Sequence, residues 1–137
     1  MTRSLTISKE NSMAALEHVN ITVSDPKTSA ALLCDLFGWN IRWEGPSQMG
    51  GETVHVGSGT DYLALYTRDG QPPGSGQTGA QKGGLNHVGI LVEDLDATEA
   101  KVKAAGLTPF NHGHYEPGRR FYFLDADGIE FEVVAYS

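Results

Sequence analysis

The 137-residue sequence predicts an α+β domain in which two βαβββ modules form curved mixed sheets. Three observations predict it. The segment from Leu16 to Asp25, LEHVNITVSD, recurs 69 residues later as LNHVGILVED from Leu85 to Asp94, with six of its ten positions identical. Each copy leads into a helix-start signal, and each predicted helix stops at a glycine, Gly38 or Gly106. Three short β-like runs separated by turn residues follow each stop.

In the first module, Asp25 is suited to accept hydrogen bonds from free N–H groups at a helix start, and Pro26 supplies the φ of a first helical residue. Leu32, Leu33 and Leu36 give this helix its apolar face, and Cys34 beside them reads as a small packing residue. The strands expected next are Trp39 to Glu44, Glu52 to Gly57 and Tyr62 to Tyr66. In the second module, Asp96 and Glu99 have capping-box spacing, and Ala97, Ala100, Val102 and Ala104 suit a helix ending at Gly106. Its strands are expected at about Leu107 to Asn111, Arg120 to Asp125 and Glu130 to Tyr136. Residues 1–13 read as a flexible tail and 14–137 as one domain: module 14–66, a Gly- and Pro-rich linker at 67–84, and module 85–137.

Composition narrows the function. Ten basic and 17 acidic residues leave a net charge of −7, with the basic residues scattered, so a phosphate backbone is not the expected partner. No apolar run reaches the roughly 18 to 20 residues needed to cross a bilayer, and the start, MTRSLTISKENS, lacks the apolar segment of a secretion signal. Neither nucleic acid nor membrane is expected. One cysteine forms no internal disulfide, which fits a reducing cytoplasm, the expected location.

Strand alternation places Val19, Ile21 and Val23 on one face, toward the helix, and His18, Asn20 and Thr22 on the other. Val88, Ile90 and Val92 repeat the packing face, which turns His87 and Gly89 away from it. In the last strand Phe131 and Val133 pack while Glu130, Glu132 and Val134 point the other way. If the half-sheets curve together, His18, His87 and Glu132 line one cavity as a 2-His-1-carboxylate set suited to divalent Fe, Mn, Zn, Ni or Co. The bland alternative is a pair of hydrogen-bonded sheet histidines and a solvated glutamate.

Further candidates follow from the same parity. His55, between the packing residues Val54 and Val56, faces the cleft as a general base or a simple polar wall. Asn20 and the phenols of Tyr62, Tyr66 and Tyr122 are placed to contact substrate, although aromatic strand residues more often only pack. Arg119 and Arg120 suit a carboxylate or phosphate, or are solvated cations beside a turn. His112 and His114 lie in a polar, Gly- and Pro-containing stretch, outside the β-like segments that hold the other three histidines.

The modules carrying EHVNITV, NHVGILV and FYFLDADGIEFEVV resemble the vicinal oxygen chelate superfamily over about residues 14–136. That superfamily includes glyoxalase I, methylmalonyl-CoA epimerase, extradiol dioxygenases, fosfomycin-modifying enzymes and bleomycin-binding proteins. The resemblance implies the glyoxalase/bleomycin resistance/dioxygenase fold, with metal ligands on the first and last strand of each module. His18 and His87 match the first-strand positions, and Glu132 matches the last-strand position of the second module. The remaining position, 68 residues before Glu132, holds Ala64, which neither ligates metal nor abstracts a proton. This departs from glyoxalase I and the epimerase, and a His, His, Glu set is instead that of the extradiol dioxygenases and fosfomycin thiol transferases. In the fosfomycin enzymes the residue matching Tyr122 lies near substrate.

The resemblance thus implies a metal-dependent enzyme, dioxygenase-like or thiol-transferase/lyase-like, acting on a small oxygenated molecule chelated to the metal. It also implies a homodimer, because the superfamily pairs such modules within or between chains. The competing class is a non-catalytic antibiotic-binding module of the bleomycin-resistance type. A regulatory domain with vestigial ligands is a third.

Overall fold

A computed structural model describes residues 14–47, 50–67, 82–115 and 118–136; the expected tail at 1–13 and most of the expected linker lie outside them. The first module runs β1 (His18–Thr22), α1 (Pro26–Phe37), β2 (Asn40–Pro46), β3 (Glu52–Gly57) and β4 (Tyr62–Thr67). The second runs β5 (Val88–Leu91), α2 (Leu95–Ala104), β6 (Phe110–Tyr115), β7 (Gly118–Leu124) and β8 (Glu130–Ala135). Each forms a four-stranded sheet, ordered β1-β4-β3-β2 and β5-β8-β7-β6. The first strand of each module lies parallel to the last, and the other pairs are antiparallel. This is the doubled mixed-sheet architecture that the repeat predicts.

Local chemistry sets the helix ends. Asp25, in an extended conformation, accepts hydrogen bonds from the N–H groups of Lys27 and Thr28 and from the Thr28 hydroxyl. These bonds hold its carboxyl below the usual carboxylate range. At the other end Gly38 takes φ 71° and donates its N–H to the Cys34 carbonyl, a left-handed stop that a side chain would strain. The start of α2 differs from expectation. Its cap is Asp94, which accepts the Ala97 N–H at 3.0 Å, so the expected capping box at Asp96 and Glu99 is displaced. Asp94 stands where the repeat places Asp25, and the buried Leu95 anchors the first turn.

The core joins the helix-facing residues of both sheets. Ile21, Val54, Val56, Leu63 and Leu65 from the first sheet and Ile90, Phe121, Phe123, Phe131 and Val133 from the second are buried in one cluster with Leu33, Leu36 and Val102. Phe37, at the end of α1, crosses between modules: its ring lies 6.5 Å from both Phe123 and Phe131, which stack on each other at 5.2 Å. Cys34 packs against this cluster, and burial pushes its thiol up, away from the reactive thiolate. A polar tie adds to the apolar one. The Ser24 N–H and hydroxyl both donate to the Asp127 carboxylate across 103 residues of sequence.

One strand lies elsewhere than expected. β6 occupies Phe110–Tyr115 rather than Leu107–Asn111, because a bulge between Phe110 and Gly113, with Asn111 at φ 54°, restores its pairing with β7. His112 and His114 are therefore strand residues. His112 brings Nε2 to within 2.7 Å of Glu99 Oε2 on α2 and stacks on Phe121. His112 is thereby tied to α2, and His114 stands opposite Arg119 in the β6–β7 ladder.

The β7–β8 turn depends on Asp125, whose Oδ1 accepts the N–H groups of Asp127 and Ile129, each at 2.9 Å. Burial raises this carboxyl above the usual carboxylate range, while the two N–H bonds oppose the rise. Asp125→Ala leaves partly buried donors without this acceptor and is expected to cost about 1–3 kcal/mol. Denaturant unfolding that shows no loss would assign the turn to the left-handed Gly128, at φ 81°, alone.

Candidate functional site

Each sheet packs one face against the helices and leaves the other to polar and aromatic side chains. On the second sheet, Glu132 of β8 stands opposite Tyr122 of β7 and Gly89 of β5. His87, immediately before β5, brings Nε2 to 3.0 Å from Glu132 Oε1, and Arg120 donates from Nη1 to Glu132 Oε2 at 2.8 Å. Tyr122 sets its ring edge-on to His87 at 5.7 Å. Glu132 is only 13% exposed and Arg120 15%, so this carboxylate is held well away from bulk water. The four residues form one contiguous group.

The His87 ring is constrained on both sides. Its Nδ1 lies 2.8 Å from Asn86 Oδ1, an oxygen that can only accept, so Nδ1 carries the proton and donates it. Nε2 then meets a second acceptor, Glu132 Oε1. Two acceptors facing both ring nitrogens are satisfied either by a doubly protonated ring or by a cation bonded to Nε2 and Oε1 together. This imidazole nitrogen and carboxylate oxygen are donors that would suit a divalent ion, with Asn86 and Arg120 orienting them from behind.

The first sheet presents a different group. His18 donates from Nδ1 to Glu17 Oε1 at 2.8 Å, repeating the His87–Asn86 arrangement one residue before the histidine. Its ring stacks on Tyr62 at 5.0 Å; Tyr62 stacks on His55 at 4.5 Å, and His55 meets Trp43 at 5.1 Å. Arg42 places its guanidinium carbon 4.6 Å above the Tyr62 ring. Strand register explains the contrast between sheets. The row Asn20–Ala64–His55–Trp43 corresponds to Gly89–Glu132–Tyr122–Phe110, so Ala64 sits where the other sheet holds its carboxylate and His55 where it holds Tyr122. An open cleft of about 460 Å³ beside this row is lined by Asn20, Trp43, Pro46, Ser47, Thr53, His55 and Tyr66.

The predicted residues thus fall into two groups within one chain. His87, Glu132, Arg120 and Tyr122 meet on the second sheet; His18, His55 and Tyr62 meet on the first, with Asn20 and Tyr66 in the adjoining cleft. The expected convergence of His18 on His87 and Glu132 is not found within the chain: among the described residues, no three His, Cys, Asp or Glu side chains are grouped to hold a metal ion. His18 lines a cavity of about 210 Å³ together with Tyr62 and with Val88, Gly89 and Ile90 of β5. Arg119 alternates onto the helix side, where its guanidinium donates to Asp96 of α2 at 2.6 Å and holds that carboxyl below its usual range. It is therefore not part of either group. Sequence reading missed Glu17, Asn86, Arg42 and Trp43. The first two had a usable signal, an acceptor directly preceding each repeated histidine.

Two βαβββ modules, each with a four-stranded mixed sheet, and a histidine–carboxylate pair on the face away from the helices define a class of paired-module proteins. The sequence profile of the Glyoxalase/Bleomycin resistance protein/Dioxygenase superfamily matches residues 15–133, and the chain belongs to that superfamily. No curated protein matches its sequence. Among solved structures it resembles a glyoxylase/bleomycin resistance protein/dioxygenase domain from Frankia sp. EAN1pec, with TM-score 0.78, 23% identity, and coverage of 92% of this chain and 94% of that one. The fosfomycin resistance protein FosX from Listeria monocytogenes, complexed with Mn(II) and sulfate, matches with TM-score 0.68, 18% identity, and 92% and 95% coverage. The trypanothione-dependent glyoxalase I of Leishmania major matches with TM-score 0.74, 17% identity, and 90% and 88% coverage. At these identities the likeness is one of fold.

Burial lowers the His55 pKa below the ordinary imidazole value of 6.5, and the electrostatic influence of neighbouring His18 and Arg42 acts the same way, against that of Glu17. The folded protein then binds fewer protons at His55 than the unfolded chain. The stability this contributes is present above pH 6.5 and is lost as pH falls through the lowered folded value. An NMR titration of the His55 ring should show a midpoint below 6.5 that rises in Arg42→Ala. A midpoint at or above 6.5 contradicts this environment.

Proposed function

We propose that the protein is a divalent-metal-dependent enzyme acting on a small oxygenated substrate, and that it works as a homodimer. In this reading His87 and Glu132 of one chain and His18 of the partner subunit hold the metal. The observation that carries it is the placement of His87 Nε2 against Glu132 Oε1 while Nδ1 is engaged by Asn86. Separation of His18 from that pair within one chain favours completion of the set by a second copy. The Mn(II) complex of FosX, a structural neighbour, supports a divalent ion on this fold.

The chain's own residues then have distinct tasks. Arg120 holds Glu132 Oε2 and leaves Oε1 as the single donor from that carboxylate. Glu17 and Asn86 keep Nδ1 of each histidine protonated and expose Nε2 for ligation. When bound, the ion supplies Lewis acidity, and its charge of +2 less the one carboxylate favours an anionic or enolate-like substrate oxygen. Tyr122, edge-on to His87, is positioned to donate its phenolic proton to a substrate oxygen. His55, held neutral near pH 7, is suited to accept a proton from substrate. Asn20, Tyr62 and Tyr66 orient the substrate, whereas Arg119 is assigned no role.

Three substitutions test the ligand set. Protein purified without added ions is expected to contain a divalent metal, and His18→Ala, His87→Ala and Glu132→Ala are each expected to lose most of it by elemental analysis. Parental metal content in all three would refute the set. Mixing refolded His18→Ala and His87→Ala chains should regain part of the metal, because one of the two sites in a mixed dimer is intact. No recovery on mixing would place the ligands within one chain or remove them from the site. Oxygen uptake with catecholic compounds and thiol consumption with an epoxide then separate the two nearest reaction classes.

A further inference from the structure

We infer that the cleft on the first sheet selects a planar aromatic ring bearing a carboxylate or another oxygen anion. This rests on the proposed function, because it names the substrate class of the same site. The rings of Trp43, His55, Tyr62 and His18 form a continuous series across β2, β3, β4 and β1, with successive centroids 5.1, 4.5 and 5.0 Å apart. At its outer end Trp43 leaves 49% of its surface exposed, an indole face available to stack on a flat ligand. The inner end is His18, a proposed metal ligand. A ring resting beside Trp43 and His55 occupies the outer end of this series, while Tyr62 and His18 at its inner end line a neighbouring cavity.

The surrounding polarity says what the ring carries. Ser47 and Thr53 bond each other through their hydroxyls at 2.6 Å, whereas the Asn20 amide and the Tyr66 hydroxyl make no hydrogen bond among the described residues. Those two groups are available as donors to ligand oxygens. Among the described residues no carboxylate lines the cleft, although the protein carries a net charge of −7. The acidic residues of the adjoining strands lie on the helix side: Glu44 stands opposite Val54, and Glu52 reaches Lys27 of α1 at 4.0 Å. Arg42 adds a positive charge on the open face. Glu17 lies at the far end of the ring series, engaged by His18 and outside the cleft lining. Stacking surface, available donors and a described lining without a carboxylate together select a flat, oxygen-bearing anion, and about 460 Å³ accommodates a single ring.

The probes are 4-hydroxybenzoate and cyclohexanecarboxylate, both single-ring carboxylates, of which only the first is planar. Binding to the full chain is followed by calorimetry and by the indole N–H resonance of Trp43, with chelator present so that metal plays no part. The expected result is that 4-hydroxybenzoate shifts that resonance and binds at least tenfold more tightly than cyclohexanecarboxylate. Trp43→Leu should lose about tenfold in affinity, and Asn20→Ala and Tyr66→Phe severalfold each, while the metal content of Trp43→Leu stays parental. Equal affinity for the two probes, no binding of either, or unchanged affinity in Trp43→Leu overturns the inference. Those failures leave the metal reading intact if the ligand variants still lose metal; parental metal in the ligand variants with selective ring binding refutes the metal reading and leaves the cleft assignment standing.

Discussion

The period of two along each strand is the constraint on which the rest of this molecule depends. It divides Ile21 from His18, Val54 and Val56 from His55, and Phe121 from Arg120 and Tyr122. The helices cover only one face of each sheet, so the same alternation that builds the core also decides which side chains are left for chemistry. A one-residue slip in β8 would carry Glu132 into the core and Phe131 and Val133 out of it. Registry and function are consequently one property of these strands. The buried phenylalanines around Phe37 protect both.

Against that shared frame the two halves have diverged in a complementary way. The second sheet keeps a carboxylate opposite Gly89 in its parallel strand pair and holds it between a guanidinium and an imidazole. The first replaces it with Ala64, which is 2% exposed, and places rings and a cation around the small side chain. One half is thus built around charge pairing and the other around stacking. A duplicated fold accommodates this because the helix-facing residues stay apolar while the opposite face varies.

Much of this was legible in the sequence, for identifiable reasons. The LEHVNITVSD repeat located both parallel strands, both helices and the face bearing His18 and His87, since apolar spacing and capping residues act locally. Glu132 followed from parity within the last strand. The displaced β6 was not legible because a bulge resets register without an apolar signature, and a left-handed Asn111 has no unique sequence mark. The α2 cap was misplaced because three acidic residues, Glu93, Asp94 and Asp96, compete at its start; the buried Leu95 decides between them. Arg119 and Arg120 looked equivalent as neighbours, yet they occupy opposite faces and bind Asp96 and Glu132 respectively. Relative placement of the two sheets is a long-range property that no local pattern encodes, and it is what separates His18 from the other predicted ligands.

The clasp between Ser24 and Asp127 bears on how such a molecule holds its two halves in orientation. Its donors come from the turn leading into α1 and its acceptor from the last hairpin, so neither partner borrows anything from the intervening chain. Together with the Phe37 contact, it makes mutual recognition of the halves a matter of surface chemistry rather than of tethering. Severed or reordered polypeptides carrying the same two turns would retain the information needed to reassemble.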